Sequence, residues 1–154
     1  MQQFLMTIGL PGSGKSTYSK ELNNSIDTTW IIVSSDSIRE TVFGDVNDQS
    51  HNGEVFNIMF NRTKKGLKEG HSVYYDATNL SSKRRIGLIK ELKKIAGDFE
   101  INCILFAPSF EVCLERNMNR DRVVPEYAMK RMLKSFEPPH KSEGWDNIYF
   151  NSNN

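Results

Sequence analysis

The residues with the clearest chemical meaning lie at 9–17, where the sequence reads GLPGSGKST. This stretch matches the P-loop pattern G-x-x-x-x-G-K-[ST], in which glycines let backbone N–H groups turn inward around phosphate oxygens. The pattern assigns the β- and γ-phosphates to Lys15 and a magnesium ion to the Ser16 hydroxyl. The alternative is a glycine-rich turn with a chance lysine. The predicted nucleotide-binding residues of the loop are Gly12, Ser13, Gly14, Lys15, Ser16 and Thr17.

Two charged residues three positions apart, Asp36 and Arg39, begin a predicted helix directly after an apolar run. This spacing places both side chains on one face of the helix. Asp36 at a strand end could take the proton from an attacking hydroxyl, while Arg39 holds a neighbouring phosphate. The spacing leaves equally open that Asp36 only caps the helix and that Arg39 is solvated.

A second acid, Asp76, follows the apolar run at 73–75. An acid at the end of a buried strand resembles the Walker B residue that holds Mg²⁺ directly or through water. The alternative is an ordinary turn aspartate before Thr78. Asp76 is therefore the second predicted magnesium ligand, beside Ser16.

Arginines are concentrated at 116–122. Arg116 and Arg120 are four residues apart, so they share a side if the helix continues, and Arg122 follows closely. Such a cluster between two helices suits a mobile lid that closes over a triphosphate. The alternative is a charged helix end, since cations are favourable at a C-terminus.

Three further cations, Lys83, Arg84 and Arg85, lie in the first turn of a predicted helix. The helix dipole disfavours cations at this end, which hints at an anionic ligand nearby. For most of the trio, a solvated basic turn is the favoured interpretation.

Apolar runs and helical patterns alternate along the chain and must position these residues. Strands are predicted at 4–8, 30–33, 73–76, 101–106 and 148–150, and helices at 16–22, 35–43, 53–68, 82–96, 109–114 and 126–136. The fourth helix is predicted from Ile86, Ile89, Leu92 and Ala96 on one face. This alternation indicates an α/β fold, a parallel sheet with helices on both faces, in which ligands bind beyond the carboxyl ends of the strands. The P-loop, Asp36, Asp76 and Thr78 are therefore expected in one cleft.

The bulk composition predicts one soluble domain over residues 1–154, with a loose tail at 151–154. The chain has 38% hydrophobic residues and a formal net charge of +1, so no bulk charge signals a nucleic-acid or membrane partner. Neither a signal peptide nor a transmembrane stretch is visible, which predicts a cytoplasmic protein with no membrane partner. Cys103 and Cys113 lack metal or redox spacing and are predicted core thiols. His51, His71 and His140 likewise lack ligand spacing.

Taken together, these motifs resemble the 5′-hydroxyl polynucleotide kinases of bacterial RNA repair systems and of phages, within the P-loop kinase superfamily. The resemblance covers nearly the whole chain. It rests on GLPGSGKST at 9–17, SSDSIR at 34–39, NDQS at 47–50, DATNL at 76–80 and ERNMNR at 115–120. It implies five parallel strands with the P-loop strand central, an arginine-bearing lid, and ATP or another nucleoside triphosphate with Mg²⁺ as cofactors.

By this resemblance, Asp36 would be the general base that activates the 5′-hydroxyl of the acceptor, and Arg39 would contact the phosphate of the acceptor. Arg116 and Arg120 would be lid residues on the donor phosphates, whereas Arg122 matches the lid pattern less clearly. The acceptor side of the cleft would be lined by Asp76, Thr78 and Asn79.

The expected function is ATP-dependent phosphoryl transfer to the 5′-hydroxyl of RNA or DNA. Two other classes remain open. One is a small-molecule kinase acting on a nucleoside, a sugar nucleotide or another metabolite; the other is a nucleotide-dependent module that switches a partner. Asp36 and Arg39 disfavour the switch, because a switch needs a residue that orients water and has no use for an acceptor base. A guanine-reading N-K-x-D motif is also absent from the sequence.

Overall fold

The computed structural model describes residues 1–24 and 30–151, and strands alternate with helices over these ranges. The elements are β1 (Gln3–Ile8), α1 (Lys15–Asn23), β2 (Trp30–Ser34), α2 (Ser35–Phe43), α3 (Asn52–Lys68), β3 (Ser72–Asp76), α4 (Ser82–Leu92), β4 (Glu100–Phe106), α5 (Phe110–Met118), α6 (Glu126–Ser135), a 3₁₀ turn (Lys141–Glu143) and β5 (Asn147–Asn151). Each predicted strand and helix is present.

The five strands form one parallel sheet in the order β2-β3-β1-β4-β5. The strand before the P-loop is therefore central, which confirms the predicted α/β architecture. Its neighbours β3 and β4 align with it at Leu5, which pairs with Tyr74 on one side and Asn102 on the other. As a result, the loops after β1 and β3 leave the sheet side by side.

Helices cover both faces of the sheet, so the side chains of β1 are buried alternately in two clusters. Phe4, Met6 and Ile8 belong to the larger cluster, which includes apolar residues of α3 and α4. Leu5 belongs to the cluster on the other face, against which Tyr18 and Leu22 of α1 pack. This burial on both faces holds the carboxyl end of β1, and with it the P-loop, in a fixed position.

A third, smaller cluster joins the P-loop to the helices that follow β4. Leu10 of the loop packs with Cys113 of α5 and with Val124, Ala128 and Met129 around the start of α6. The P-loop and the segment that carries the arginines are therefore packed together. Cys103 and Cys113 are both buried and free, as predicted.

The predicted end of α4 and the predicted start of the C-terminal tail are wrong. Helix α4 ends at Leu92, where the chain tightens through hydrogen bonds from Lys94 N to Glu91 O and from Ile95 N to Leu92 O. This turn buries Ile95 and leaves Ala96 exposed. At the other end of the chain, Asn151 belongs to β5, so the predicted tail does not begin there, and residues 152–154 lie outside the described part. Over the described ranges, no helix is both long and apolar enough to cross a bilayer.

Candidate active site

The P-loop connects β1 to α1, and two of its glycines have left-handed backbone angles. The φ values are +80° at Gly12 and +106° at Gly14, which lies directly before the first residue of α1. Lys15 turns back onto the loop, where its Nζ donates to Gly9 O at 2.9 Å and to Leu10 O at 2.8 Å. Burial lowers the pKa of Lys15 to about 8, although the nearby Asp76 carboxylate raises it in part. A buried cation at the mouth of this loop favours an anionic ligand such as phosphate.

The two predicted magnesium ligands meet beside the P-loop. Ser16 Oγ donates to Asp76 Oδ2 at 3.1 Å, although the residues are 60 positions apart in sequence. Burial raises the pKa of Asp76, while Lys15 and the Ser16 hydrogen bond counteract this shift. A hydroxyl and a carboxylate fit Mg²⁺ when phosphate oxygens and water supply the remaining ligands. Among the described residues, no cluster of three or more His, Cys, Asp or Glu side chains could hold a metal.

The carboxylate of Asp36 accepts hydrogen bonds from three arginines. Its Oδ1 accepts from Arg122 Nη1 at 2.9 Å and from Arg39 Nη1 at 3.4 Å, and its Oδ2 accepts from Arg120 Nη2 at 2.8 Å. The cap of α2 is instead Ser34, whose side chain accepts from the Ser37 backbone N–H. The alternative in which Asp36 caps the helix is therefore wrong.

Arg39 is buried rather than solvated, with only 5% of its surface exposed. Its Nη2 donates to Asn52 Oδ1 at 2.9 Å, which links α2 to the first turn of α3. Burial lowers the pKa of Arg39, and the neighbouring cation Arg122 adds to this effect. Its Nε is buried and has no hydrogen-bond partner among the described residues. Unpaired buried donors are uncommon in folded proteins, so this group is suited to an anionic ligand.

Arg116, Arg120 and Arg122 all line the phosphate cleft, but not along one continuing helix as their spacing suggested. Helix α5 ends at Met118, so Arg120 and Arg122 lie in the following loop rather than on a continuing helix. Asn117 holds this loop, because its side chain donates to Val124 O at 2.7 Å and accepts from Val124 N at 3.1 Å. Arg122 matches the lid pattern less clearly than Arg116 and Arg120, yet it contacts Asp36 as closely as Arg120 does.

The site consists of two adjoining clefts. A phosphate cleft of about 550 Å³ is lined by P-loop residues, Asp36, Asp76 and the three lid arginines. A second cleft of about 820 Å³ lies between α3 and α4, and Arg39 and Asn79 are among the residues that line it. The residues that line both clefts are Pro11, Ser35, Ala77, Thr78 and Arg122. All catalytic and substrate-side residues predicted from the sequence therefore line one cleft or the other.

Asn79 contributes to the second cleft chiefly by shaping its wall. It has a left-handed backbone with φ of +50°, and its Nδ2 donates to Thr7 O at 2.7 Å and to Ala77 O at 3.2 Å. The side chain thus stabilises the turn after β3. Thr78, by contrast, lies at the boundary between the clefts.

The basic trio at the start of α4 separates into three different environments. Arg85 is 1% exposed and forms a buried ion pair with Glu143, so the solvated interpretation is wrong for this residue. The sequence did contain a signal for the burial of Arg85, because residues 85, 89 and 92 share one face of the helix and Ile89 and Leu92 are apolar. Arg84 is exposed and lines the second cleft, whereas Lys83 lines neither cleft.

The fold, the phosphate loop and the arginine lid define a P-loop kinase-like domain. A family model described as an AAA domain matches residues 4–139, and the chain belongs to this family. Among curated proteins, it is 30% identical over 150 residues to an L-seryl-tRNA(Sec) kinase of Methanococcus maripaludis, and the match covers 92% of this chain and 55% of the relative. The chain spans about half, or less, of the length of the curated relatives it matches.

Two solved structures show the same fold. Kti12 of Chaetomium thermophilum, solved with ADP-AlF3, has a TM-score of 0.75 at 16% identity, and the match covers 97% of this chain and 88% of that one. A chain of the Pnkp1/Rnl/Hen1 RNA repair complex has a TM-score of 0.73 at 22% identity, covering 87% of this chain and 43% of that one.

Proposed function

We propose that this protein transfers the γ-phosphoryl group of ATP to the 5′-hydroxyl end of RNA or DNA. The observation that carries the proposal is the position of Asp36. Its carboxylate lines the phosphate cleft, while Ser35 and Arg39 on the same helix line the second cleft. A base at this boundary would meet a hydroxyl that enters from the second cleft. A switch that hydrolyses its nucleotide needs no such second chamber.

In the proposed reaction, the acceptor hydroxyl attacks the γ-phosphorus as the bond to the β–γ bridging oxygen breaks, and Asp36 takes the hydroxyl proton. Lys15 and the lid arginines would neutralise the negative charge that develops on the transferred group. Ser16 and Asp76 would hold Mg²⁺, which would supply positive charge beside the phosphates. Because Arg120 and Arg122 bind Asp36 in this structure, donor phosphates would compete for them and leave the carboxylate oxygens available to the acceptor.

Two comparisons support an acceptor that contains nucleic acid. One solved neighbour belongs to an RNA repair complex, and the curated relative at 30% identity is named as a seryl-tRNA kinase. The seryl-tRNA kinase favours a second candidate function, in which the phosphorylated hydroxyl belongs to an aminoacyl group on a tRNA rather than to a 5′ end. A small-molecule acceptor is the remaining enzyme class.

One assay separates these candidates: transfer of label from γ-labelled ATP. The acceptors are an RNA and a DNA oligonucleotide with 5′-hydroxyl ends, seryl-tRNA, and a panel of nucleosides and sugar nucleotides. The matched control is the same RNA with a 5′-phosphate, which has no acceptor at that end. We expect label only on 5′-hydroxyl ends. Efficient transfer to seryl-tRNA or to a metabolite, with none to either oligonucleotide, would overturn the proposal.

A further inference from the structure

The second cleft is larger than a single hydroxyl acceptor needs. Its volume of about 820 Å³ lies near the upper end of the range typical of small-ligand sites, about 300–1,000 Å³. One wall is α3, and the opposite wall is α4 from Arg84 to Glu91. Its inner end adjoins the phosphate cleft at the five residues that line both clefts, which include Thr78 and Arg122. An acceptor whose hydroxyl reaches Asp36 would leave the outer part of this cleft for the rest of the molecule.

Aromatic rings form part of the α3 wall. Phe56 and Phe60 are four residues apart and therefore share a face, and both line the cleft. They pack against the main core cluster, yet each remains partly exposed. Aromatic faces that stay accessible beside arginines are the means by which proteins hold unpaired nucleobases, since every base has a ring surface that can stack.

The opposite wall carries the exposed Arg84 and has open space in front of it, although the acid Glu91 also lines it. Arg84 in the first turn of α4 lines the cleft, and Arg39 with its unpaired Nε lies toward the Asp36 end. Gly87 also lines the cleft, and a Cβ atom built there would meet nothing within 4 Å. A glycine inside a helix lowers its stability by about 1 kcal/mol relative to alanine. The lack of a side chain at Gly87 is therefore more easily understood as room for a ligand.

We infer that this cleft binds the terminal nucleotides of a single-stranded acceptor, with a nucleobase stacked on Phe56 and Phe60 and a phosphate beyond it held by Arg84. The inference rests on the proposed function, because it places the strand whose 5′-hydroxyl meets Asp36. The inference also goes beyond the proposed function, since it makes the site selective for an acceptor of at least two nucleotides. Arg39 and Arg84 line the same cleft from different helices, α2 and α4, and in this arrangement they contact different phosphates of the strand.

The first test measures binding without phosphoryl transfer. A 5′-hydroxyl trinucleotide with 2-aminopurine as its first or second base is titrated with the protein and a non-hydrolysable ATP analogue. Stacking on the phenylalanines is expected to quench the fluorescence. Phe56→Leu keeps an apolar side chain but removes the ring, so we expect about 10-fold weaker binding and less quenching. Unchanged quenching in this variant would overturn the stacking assignment.

The second test measures KM for acceptors of different lengths. Arg84→Ala should raise KM for a trinucleotide about 10-fold, and raise it less for a nucleoside 3′-monophosphate, which lacks the second phosphate. Lys83→Ala is the matched control, because this neighbouring cation lines neither cleft. Equal effects of the two substitutions would contradict the role of Arg84.

A third variant guards against loss of folding as the explanation. Gly87→Leu places a side chain into the open space while improving helix propensity, so the protein should be at least as stable and should bind ATP normally. We expect its KM for the trinucleotide to rise at least 10-fold. If wild-type protein phosphorylates oligonucleotides but all three variants behave like wild type, the cleft assignment fails and the proposed function stands. If wild-type protein neither binds nor phosphorylates oligonucleotides, both fail.

Discussion

Asp36 has more charged partners in the structure than any single sequence motif indicates. Arg39 comes from its own helix, while Arg120 and Arg122 come from a loop more than 80 residues away. The three ion pairs place positive charge around a carboxylate that lines the phosphate cleft, next to Ser35, which lines both clefts. ATP phosphates carry more negative charge than Asp36, so they are expected to draw the two lid arginines toward themselves.

Replacement of Asp36 tests its role as the base. Asp36→Asn keeps the size of the side chain but removes its ability to accept a proton, so phosphoryl transfer should fall by about 10²-fold or more. ATP affinity should be retained or increased, because Arg120 and Arg122 lose a competing anion. Glu40→Gln on the same helix is the matched control, since Glu40 is exposed and lines neither cleft. Wild-type turnover in Asp36→Asn would refute the assignment.

The lowered pKa of Lys15 makes proton uptake a signature of ATP binding. Because the pKa is about 8, Lys15 is mostly protonated at pH 7 and mostly neutral at pH 9. Bound phosphates favour the charged form, so ATP binding at pH 9 should take up close to one proton and be weaker than at pH 7. Calorimetry in two buffers with different ionisation enthalpies measures this uptake. Lys15→Arg stays charged at both pH values and should show much less pH dependence; equal uptake by wild type at pH 7 and pH 9 would contradict the prediction.

At the scale of elements, the P-loop and α5 fit together so closely that one loop residue has no room for a side chain. A Cβ atom on Gly12 would lie 2.3 Å from the backbone O of Cys113, below any allowed contact. The left-handed φ of +80° adds a second restriction. Glycine at this position therefore serves the contact with α5 as well as the cradle for phosphate.

These two restrictions can be separated by comparing two glycines. In Gly70→Ala only the left-handed backbone is unfavourable, because φ is +87° and a Cβ atom there would meet nothing within 4 Å. The stability of this variant should therefore fall by about 1–2 kcal/mol. Gly12→Ala adds the clash with α5 and should lower stability more than Gly70→Ala, while also weakening ATP binding. Urea unfolding and nucleotide titration measure the two effects. Equal losses of stability would show that the contact with α5 is not restrictive.

At the scale of the whole molecule, a buried ion pair fastens the C-terminal segment to the turn after β3. Arg85 on α4 donates to Glu143 at 2.8 and 3.0 Å and to the backbone O of Asn79 at 2.9 Å. Burial alone would raise the pKa of Glu143, but hydrogen bonds from Arg85, Ser82 and Trp145 hold it below its usual value. The segment after α6 thus supports the wall of the second cleft.

Removal of one partner of this pair should be costly. Glu143→Gln leaves the buried Arg85 charge without its counter-ion, so the free energy of unfolding at pH 7 should fall by about 3–5 kcal/mol. Glu91→Gln, which breaks the exposed pair with Lys94, is the matched control and should cost less than about 1 kcal/mol. Both are measured by urea unfolding. A loss from Glu143→Gln no larger than the control would show that the pair does not stabilise the fold.

The same pair predicts a pH dependence. Since the folded pKa of Glu143 lies below its unfolded value of about 4.5, its contribution is complete above that value and is lost as pH falls through the lower, folded pKa. Wild-type protein should therefore lose more stability than Glu143→Gln when urea unfolding is repeated from pH 6 down to pH 3.

Most of the architecture was predictable because its signals are local. Apolar runs, helical periodicity and the contiguous P-loop motif depend on residues that are neighbours in sequence, so the strands, the helices and the parallel sheet all followed. The central position of β1 was implied by the resemblance to the polynucleotide kinases. The approach of Ser16 to Asp76 also followed, because parallel strands end at one edge of a sheet. The end of α4 did not follow, since Ala96 continues the helical spacing while a tight turn buries Ile95.

The sequence by itself determined the phosphate loop, the fold class and the residue types at the ends of the strands. Only the tertiary structure decided that Arg122 contacts Asp36, that Asn117 holds the arginine-bearing loop and that Arg85 is buried with Glu143. It also decided that the second cleft has aromatic rings on one wall and Arg84 on the other. The physical reason is that backbone preferences act over a few residues. The partner of a long charged side chain, by contrast, depends on which distant segments packing brings within its reach.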